Sequence, residues 1–240
     1  MSELASDTAM ILAAGLGLRM RPLTESRPKP LVPVAGKALI DHVLDKLEEA
    51  GIAKAVVNVH YLPDMLEAHL AERKTPQVAT TDEREVLLET GGGMAKALAA
   101  GLLPDPFFAV NADNLWIDGP RDVFHELSGI WNPARMDALL LLVPHTGAHN
   151  FRGKGDFTMD PNGRLTRRRS GRIAPFIYTG VQLVSHRLLR DAPAGPFSTN
   201  ILWNRAMEED RLYGARFTGE WFEVGDPAAI APTEVALQHG

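Results

Sequence analysis

Gly15 and Gly17 interrupt an apolar run near the start of this chain, and Arg19, Arg21 and Lys29 follow within residues 10–40, MILAAGLGLRMRPLTESRPKPLVPVAGKALI. A glycine turn at the end of a strand lets backbone N–H groups approach an anion, and fixed cations beside it neutralise phosphate charge. Pro22, Pro28, Pro30 and Pro33 stiffen the cation-bearing segment, because proline locks its own φ and restricts the residue before it. The order of parts is that of a phosphate cradle. A second polar group, Asn111, Asp113 and Asn114, follows the apolar residues 107–110. In open α/β sheets ligands bind beyond the carboxyl ends of strands, which is where those side chains fall.

The elements that must position these groups follow from hydrophobic periodicity. Residues 9–14 form a short continuous apolar run before glycines, the pattern of a buried strand. Leu39, Ile40, Val43, Leu44 and Leu47 share one helical face, with Gly51 at the C-cap position. Residues 52–59 predict the next strand, Leu62, Leu66 and Leu70 a helix with Pro63 in its first turn, and residues 78–81 a strand. The run ETGGG, residues 89–93, precedes a helical pattern of Met94, Leu98 and Leu102 that Pro104 and Pro106 end. Val123, Leu127, Ile130 and Trp131 predict a further helix and residues 137–143 a further strand.

The second half reads differently. Residues 145–155 are polar and glycine-containing, Asp160-Pro161-Asn162-Gly163 is a hairpin-turn signal, and residues 177–184 are strand-like. Residues 186–190 and 199–209 predict helices and residues 211–217 and 221–224 strands, with Asp226 an N-cap for a closing helix that Pro232 should kink or restart. Strand and helix alternation implies right-handed crossovers. The expected fold is α/β, a Rossmann-like doubly wound, mainly parallel mixed sheet with an inserted β-hairpin region. It is expected as a single domain over residues 1–240, with residues 1–8 a polar N-terminal tail.

Composition narrows the partners. A formal net charge of -5 and a pI of ≈ 5.9 supply no basic field for a nucleic-acid backbone, so no nucleic-acid partner is expected. The absence of cysteine removes disulfides, thiolate nucleophiles and cysteine-ligated zinc. Residues 1–8 lack the features of a signal peptide, and no stretch reaches the roughly 18 apolar residues of a membrane span. A soluble, cytoplasmic protein with no membrane partner is expected, as a monomer or small homo-oligomer.

Two familiar phosphate motifs do not fit. As a dinucleotide fingerprint the turn lacks its third glycine, since Met20 stands there, and the prolines forbid a long uninterrupted helix. Asp41 falls at the distance of a ribose-binding acid, but inside a helical pattern rather than at a strand end. No GxxxxGK[ST] occurs, which removes the P-loop.

The stretch LAAGLGLRMRPLTESRPKPLVPVAGKALI does resemble the signature of the sugar-1-phosphate nucleotidylyltransferases, a glycine turn with arginine, then PKPL, then a PV.G.P.I segment. The resemblance continues in order through ETGGG, the strand ending VNAD, Tyr178-Thr179-Gly180 and the closing Trp221-Phe222-Glu223-Val224-Gly225. It implies attack by a sugar phosphate oxygen on the α-phosphorus of a nucleoside triphosphate, releasing pyrophosphate. The nucleophile is already an anion, so catalysis lies in positioning and charge neutralisation. By the resemblance, Arg19 would hold the β- and γ-phosphates with the Ala14, Gly15, Gly17 and Leu18 turn, and Lys29 the α-phosphate. Asp113 and Glu223 would bind Mg²⁺, Asn111 would line the nucleotide site, and Thr179 and Gly180 would meet the sugar. Glu223 stands where the family usually has Asp, Asp226 where it has Thr, and Ala112 where glycine is common.

The ETGGG form resembles the N-acetylmuramate α-1-phosphate uridylyltransferases of peptidoglycan recycling, placing Glu89, Gly92 and Gly93 at the base. UTP with N-acetylmuramate 1-phosphate is the expected pair. Mannose-1-phosphate guanylyl transfer, or another uridylyl or thymidylyl transfer, is the alternative, and a non-catalytic nucleotide-binding regulator the alternative from a different class. His60 and His69 lack metal-ligand spacing and read as satisfied residues, although His60 also sits where it could approach a nucleotide. Arg164, Arg167, Arg168, Arg169 and Arg172 read as a solvated basic face, with contact to an acidic sugar substituent as the sharper reading.

Overall fold

The computed structural model describes residues 3–238. In chain order its elements are β1 (Thr8–Leu12), β2 (Pro33–Val34), β3 (Lys37–Ala38), α1 (Leu39–Glu49), β4 (Lys54–Val59), α2 (Pro63–Leu70) and β5 (Gln77–Asp82). There follow α3 (Glu89–Ala99), β6 (Phe107–Asn111), β7 (Asn114–Ile117), α4 (Val123–Ile130), β8 (Ala138–Pro144) and β9 (Ala148–His149). β10 (Phe157–Met159), β11 (Leu165–Arg167), β12 (Phe176–Val184), α5 (Thr199–Glu208), β13 (Leu212–Arg216), β14 (Glu220–Glu223) and α6 (Ile230–Leu237) complete the chain.

β6, β1, β4 and β5 lie side by side and parallel. β12 runs antiparallel between β6 and β8, and β13 adds parallel to β8. The expected mixed, largely parallel sheet is therefore observed, with β12 its reversed strand. Side chains alternate across it as the pleat requires: Ala9 and Ile11 pack with Ile40, Val43, Leu44 and Leu47 of α1 on one face, whereas Met10 packs with Met94 of α3 and Leu202 and Trp203 of α5 on the other. The chain leaves β1 toward β4 on one side and returns through α3 to β6 on the other. The crevice at the carboxyl ends of β1 and β6 is thus a topological switch point.

The hairpin region is β10 and β11, paired antiparallel around the expected turn and joined to β12 at Phe157 and Phe176. Asp226 caps, accepting from Ala228 N–H at 3.0 Å, and a 3₁₀ turn precedes α6, whose first turn holds Pro232.

Several expectations are corrected. The first strand stops at Leu12 rather than Ala14, because Ala13 N–H turns away to donate to Asn58 Oδ1 at 2.7 Å. The proposed tail lies partly outside the described residues; within them, Leu4 and Ala5 pack on the core and Ala5 N–H donates to Ser128 Oγ. β7 is an additional strand that follows β6 after a two-residue turn. It forms a second sheet with β14 and β9.

ETGGG does not precede α3 but forms its first turns, with Gly91, Gly92 and Gly93 buried. A Cβ would stand 2.3 Å from the Phe197 ring at Gly91, 2.7 Å from Gly195 O at Gly92 and 2.8 Å from Asn58 Nδ2 at Gly93. Glycine costs roughly 1 kcal/mol against alanine within a helix, and close approach of residues 195–197 and of Asn58 is the reason it is kept. Gly91→Ala should accordingly lower stability by ~1–3 kcal/mol despite its better helix propensity. Urea unfolding measures this, and an unchanged or raised midpoint would contradict the packing.

Candidate active site

The cation-bearing segment after β1 is shaped by local bonds. Gly17 adopts φ +62°, and a Cβ there would meet Lys29 Cβ and Thr24 Cγ2 at 3.0 Å. Thr24 Oγ1 donates to Gly17 O at 2.8 Å, and Tyr61 Oη donates to Thr24 O at 2.9 Å. Short 3₁₀ turns at Leu18–Met20 and Lys29–Leu31 present Arg19 and Lys29. Met20, in the first turn, and Val32 and Val34, just after the second, are fully buried against Leu39, Leu115 of β7, Phe222 of β14 and Val224 just beyond it. That small apolar cluster fastens the segment to the second sheet.

The second sheet carries the acids. β14 pairs antiparallel with β7 so that Glu223 stands opposite Asn114, the residue after Asp113. The result is a quartet: Lys29 Nζ lies 2.5 Å from Asp113 Oδ2, and Arg19 Nη1 3.8 Å from Glu223 Oε1. Lys29 is 13% exposed and Asp113 36%, whereas Arg19 is 73% exposed. Lys29 is therefore the better shielded of the two cations, and Arg19 the more accessible to solvent. Asp113 and Glu223 are hard oxygen donors lining one recess, the donor set of a small divalent cation that takes few protein carboxylates and fills its shell from phosphate and water. Among the described residues no cluster of three or more His, Asp or Glu could form a closed metal cage.

Three recesses meet at Asn111. The first, ≈ 390 Å³, is lined by Ala14, Gly15, Lys29, Asn58, Glu89 and Asp113, among others. The second, ≈ 260 Å³, has Asp156, Arg167, Tyr178, Gln182, Thr199 and Trp203 in its wall. The third, ≈ 200 Å³, brings Arg19, Asp113, Thr179, Gly180 and Glu223 together. Gly17 and Leu18 shape the turn and line none of these three recesses, and Gly92 and Gly93 lie buried in α3.

Glu89, the first residue of α3, is exposed at the rim with φ +60°. A non-glycine residue in that region carries strain of order 1–3 kcal/mol, which surrounding structure must hold. A buried carboxylate supplies the hold. Glu83 accepts from Leu88 N–H at 3.0 Å and from Asn58 Nδ2 at 2.8 Å, while Asn58 Oδ1 takes Ala13 N–H. The glycine turn and the start of α3, opposite walls of the first recess, are thereby tied through two side chains.

Gly180 has φ +87°, and a Cβ there would meet Asn114 Nδ2 at 2.6 Å and Asn111 Nδ2 at 2.7 Å. It sits where the register of β12 on β8 shifts, and Thr179 Oγ1 pins that irregularity by donating to Leu141 O at 3.0 Å. Sequence reasoning missed Asp156, whose Oδ2 accepts Tyr178 N–H at 2.9 Å, and Thr199. Nothing local distinguishes either. Asn58, only 2% exposed inside an apolar strand, carried a legible signal. Asp41 is occupied elsewhere, 2.9 Å from His69 Nε2, and His60 Nδ1 lies 2.7 Å from Glu83 O. Among the described residues no helix is long and apolar enough to cross a membrane.

A doubly wound sheet whose switch point holds a glycine turn, paired cations and two acids can receive the phosphates of a nucleotide. Residues 8–126 match the nucleotidyl transferase family. The chain is 44% identical over 97% of its length to an N-acetylmuramate alpha-1-phosphate uridylyltransferase of Caulobacter vibrioides, covering 98% of that protein. It is 35% identical over 90% of its length to a Neisseria meningitidis protein of the same name, covering 92% of it. The inositol-1-phosphate CTP transferase of T. maritima shares the fold, with a TM-score of 0.79, 16% identity and coverage of 98% of this chain and 96% of that one. The chain belongs to the nucleotidyl transferase family and is a sugar-1-phosphate nucleotidyltransferase.

Lys29 is the best-shielded cation facing the acids. Lys29→Ala is expected to lower kcat on the order of 10²–10³-fold, the loss seen when one preorganised donor to developing charge is removed. Pyrophosphate release and a thermal melt measure it; a near-wild-type kcat would contradict the role.

Proposed function

We propose that this enzyme transfers a uridylyl group from UTP to N-acetylmuramate 1-phosphate with Mg²⁺. The observation that carries the chemistry is the quartet of Arg19, Lys29, Asp113 and Glu223 where the recesses meet. The choice of base and sugar rests on the likeness to the Caulobacter uridylyltransferase. We place the reaction in the cytoplasm, where nucleoside triphosphates are made.

In this reading the nucleotide lies in the first recess. Its base meets the rim at Glu89 and Thr90, its phosphates the glycine turn and Lys29, with Asn111 beside them. The sugar phosphate enters the third recess, toward Thr179 and Gly180. Its phosphate oxygen bonds to the α-phosphorus, the bond from that phosphorus to the bridging oxygen breaks, and pyrophosphate leaves with the electron pair. No proton is moved at the nucleophile. Lys29 exchanges its carboxylate partner for the α-phosphate, and Arg19, exposed to solvent, takes the leaving β- and γ-phosphates. Asp113 and Glu223 would hold Mg²⁺, which when bound draws charge from the phosphate oxygens. Glycine at 180 keeps the strand backbone close to the two asparagines, since any Cβ would collide with them.

Preference is measured by pairing each of four nucleoside triphosphates with several sugar 1-phosphates. UTP with N-acetylmuramate 1-phosphate should give the highest kcat/KM. Preference for GTP with mannose 1-phosphate would replace this reading with the guanylyltransferase one, and no pyrophosphate release with any pair would favour the binding regulator. For the metal, Asp113→Asn and Glu223→Gln should each raise the Mg²⁺ concentration needed for half-maximal rate by at least roughly tenfold. An unchanged Mg²⁺ dependence would remove those residues from the metal site.

A further inference from the structure

Two residues in the wall of the second recess each carry a buried hydrogen-bond donor without a partner. Arg167, at the end of β11, is half-buried; its Nε donates to Asn204 Oδ1 at 3.0 Å and its guanidinium lies 5.1 Å from the centre of the Phe157 ring. Its Nη2 is buried with no partner. Thr199, the first residue of α5 and 3% exposed, likewise has an Oγ1 buried with no partner. Both residues line the same ≈ 260 Å³ recess. Two other polar groups there are held in place: Gln182 Oε1 accepts from Trp203 Nε1 at 3.1 Å, and Asp156 Oδ2 accepts from Tyr178 N–H, leaving Asp156 Oδ1 open.

A buried donor left without an acceptor costs roughly 1–3 kcal/mol, more when charged. Burial holds the Arg167 guanidinium below its ordinary pKa while Asp156 opposes that shift, yet arginine stays charged under all ordinary conditions. A permanent cation and a hydroxyl, both donors, call for a doubly accepting anion. The stacking of Arg167 on Phe157 and its bond to Asn204 fix the direction of the fork.

We propose that Arg167 and Thr199 form a carboxylate-binding subsite for an acidic substituent of the acceptor sugar. This rests on the acceptor proposed above, whose lactyl ether supplies such a carboxylate. The recess adjoins the third one along Asn111, Asp156 and Tyr178. A sugar whose phosphate faces Asp113 and Glu223 therefore directs a ring substituent past Asp156, which accepts from ring hydroxyls, toward Arg167. Phosphate recognition stays with Lys29 and Arg19, so the two anionic ends of one substrate are read by different cations.

The test compares N-acetylmuramate 1-phosphate with N-acetylglucosamine 1-phosphate, which lacks the lactyl group, in wild type, Arg167→Gln, Arg167→Lys and Thr199→Val. Wild type should prefer the carboxylated sugar. Arg167→Gln should cut kcat/KM for it about 100-fold, mainly through KM, the size of a lost charged hydrogen bond. Its kcat/KM for the neutral sugar and its KM for UTP should stay within about twofold. Arg167→Lys, keeping charge without the fork, should fall between, and Thr199→Val should lose about tenfold on the carboxylated sugar alone. Equal losses on both sugars, or a preference that survives Arg167→Gln, would overturn the subsite while leaving the proposed reaction standing. Should Arg167→Gln not fold, Thr199→Val alone decides by the same ratio. A wild type that does not prefer the carboxylated sugar would overturn both the subsite and the acceptor.

Discussion

The pairing of β14 with β7 is the constraint on which the site depends. By setting Glu223 opposite Asn114 it brings a residue near the end of the chain beside Asp113. The same pair presents Leu115, Phe222 and Val224 to Met20, Val32 and Val34. Burying those side chains clamps a proline-rich segment that has almost no regular structure of its own. A slip of one residue in that register would turn Glu223 to the other face and break the apolar contact at once. Position of charge and adhesion of the loop are therefore decided by one strand pairing.

The quartet it creates is balanced for exchange rather than for permanence. Two cations and two acids hold one another at the meeting of the recesses, so incoming phosphate finds cations already aimed and acids already grouped. Preorganisation of this kind lowers the reorganisation needed when charge develops. The opposite walls of the first recess are coupled by a buried chain from Ala13 through Asn58 and Glu83 to Leu88. Glu89 is held in a strained conformation next to that chain.

The glycines of ETGGG show how a motif can be read rightly for family and differently for physics. Their signal in the sequence was loop-like, since glycines usually open helices rather than build them. In the structure they are helical because Phe197, Gly195 and Asn58 come too close for any side chain. The contacts that demand glycine come from residues distant in the chain, so no local pattern could announce them. Asp156 and Thr199 were illegible for the same reason: their chemistry exists only where β12, β11 and α5 converge. Arg167 was visible as one of five neighbouring arginines, but only burial and an unanswered Nη2 separate it from Arg169 and Arg172.

By itself the sequence determined the alternation of strands and helices, the glycine turn with Arg19 and Lys29, the polar cluster after β6 and the family those segments mark. These are local properties, set by periodicity, proline and glycine geometry and side-chain charge, and they survive translation into one dimension. Only the tertiary structure decided which acids face which cations, how far each is shielded, where the recesses join and which arginine is left with a buried donor. Those properties depend on register and on contacts between residues far apart in the chain, and both are fixed by packing the whole core rather than by any segment of it.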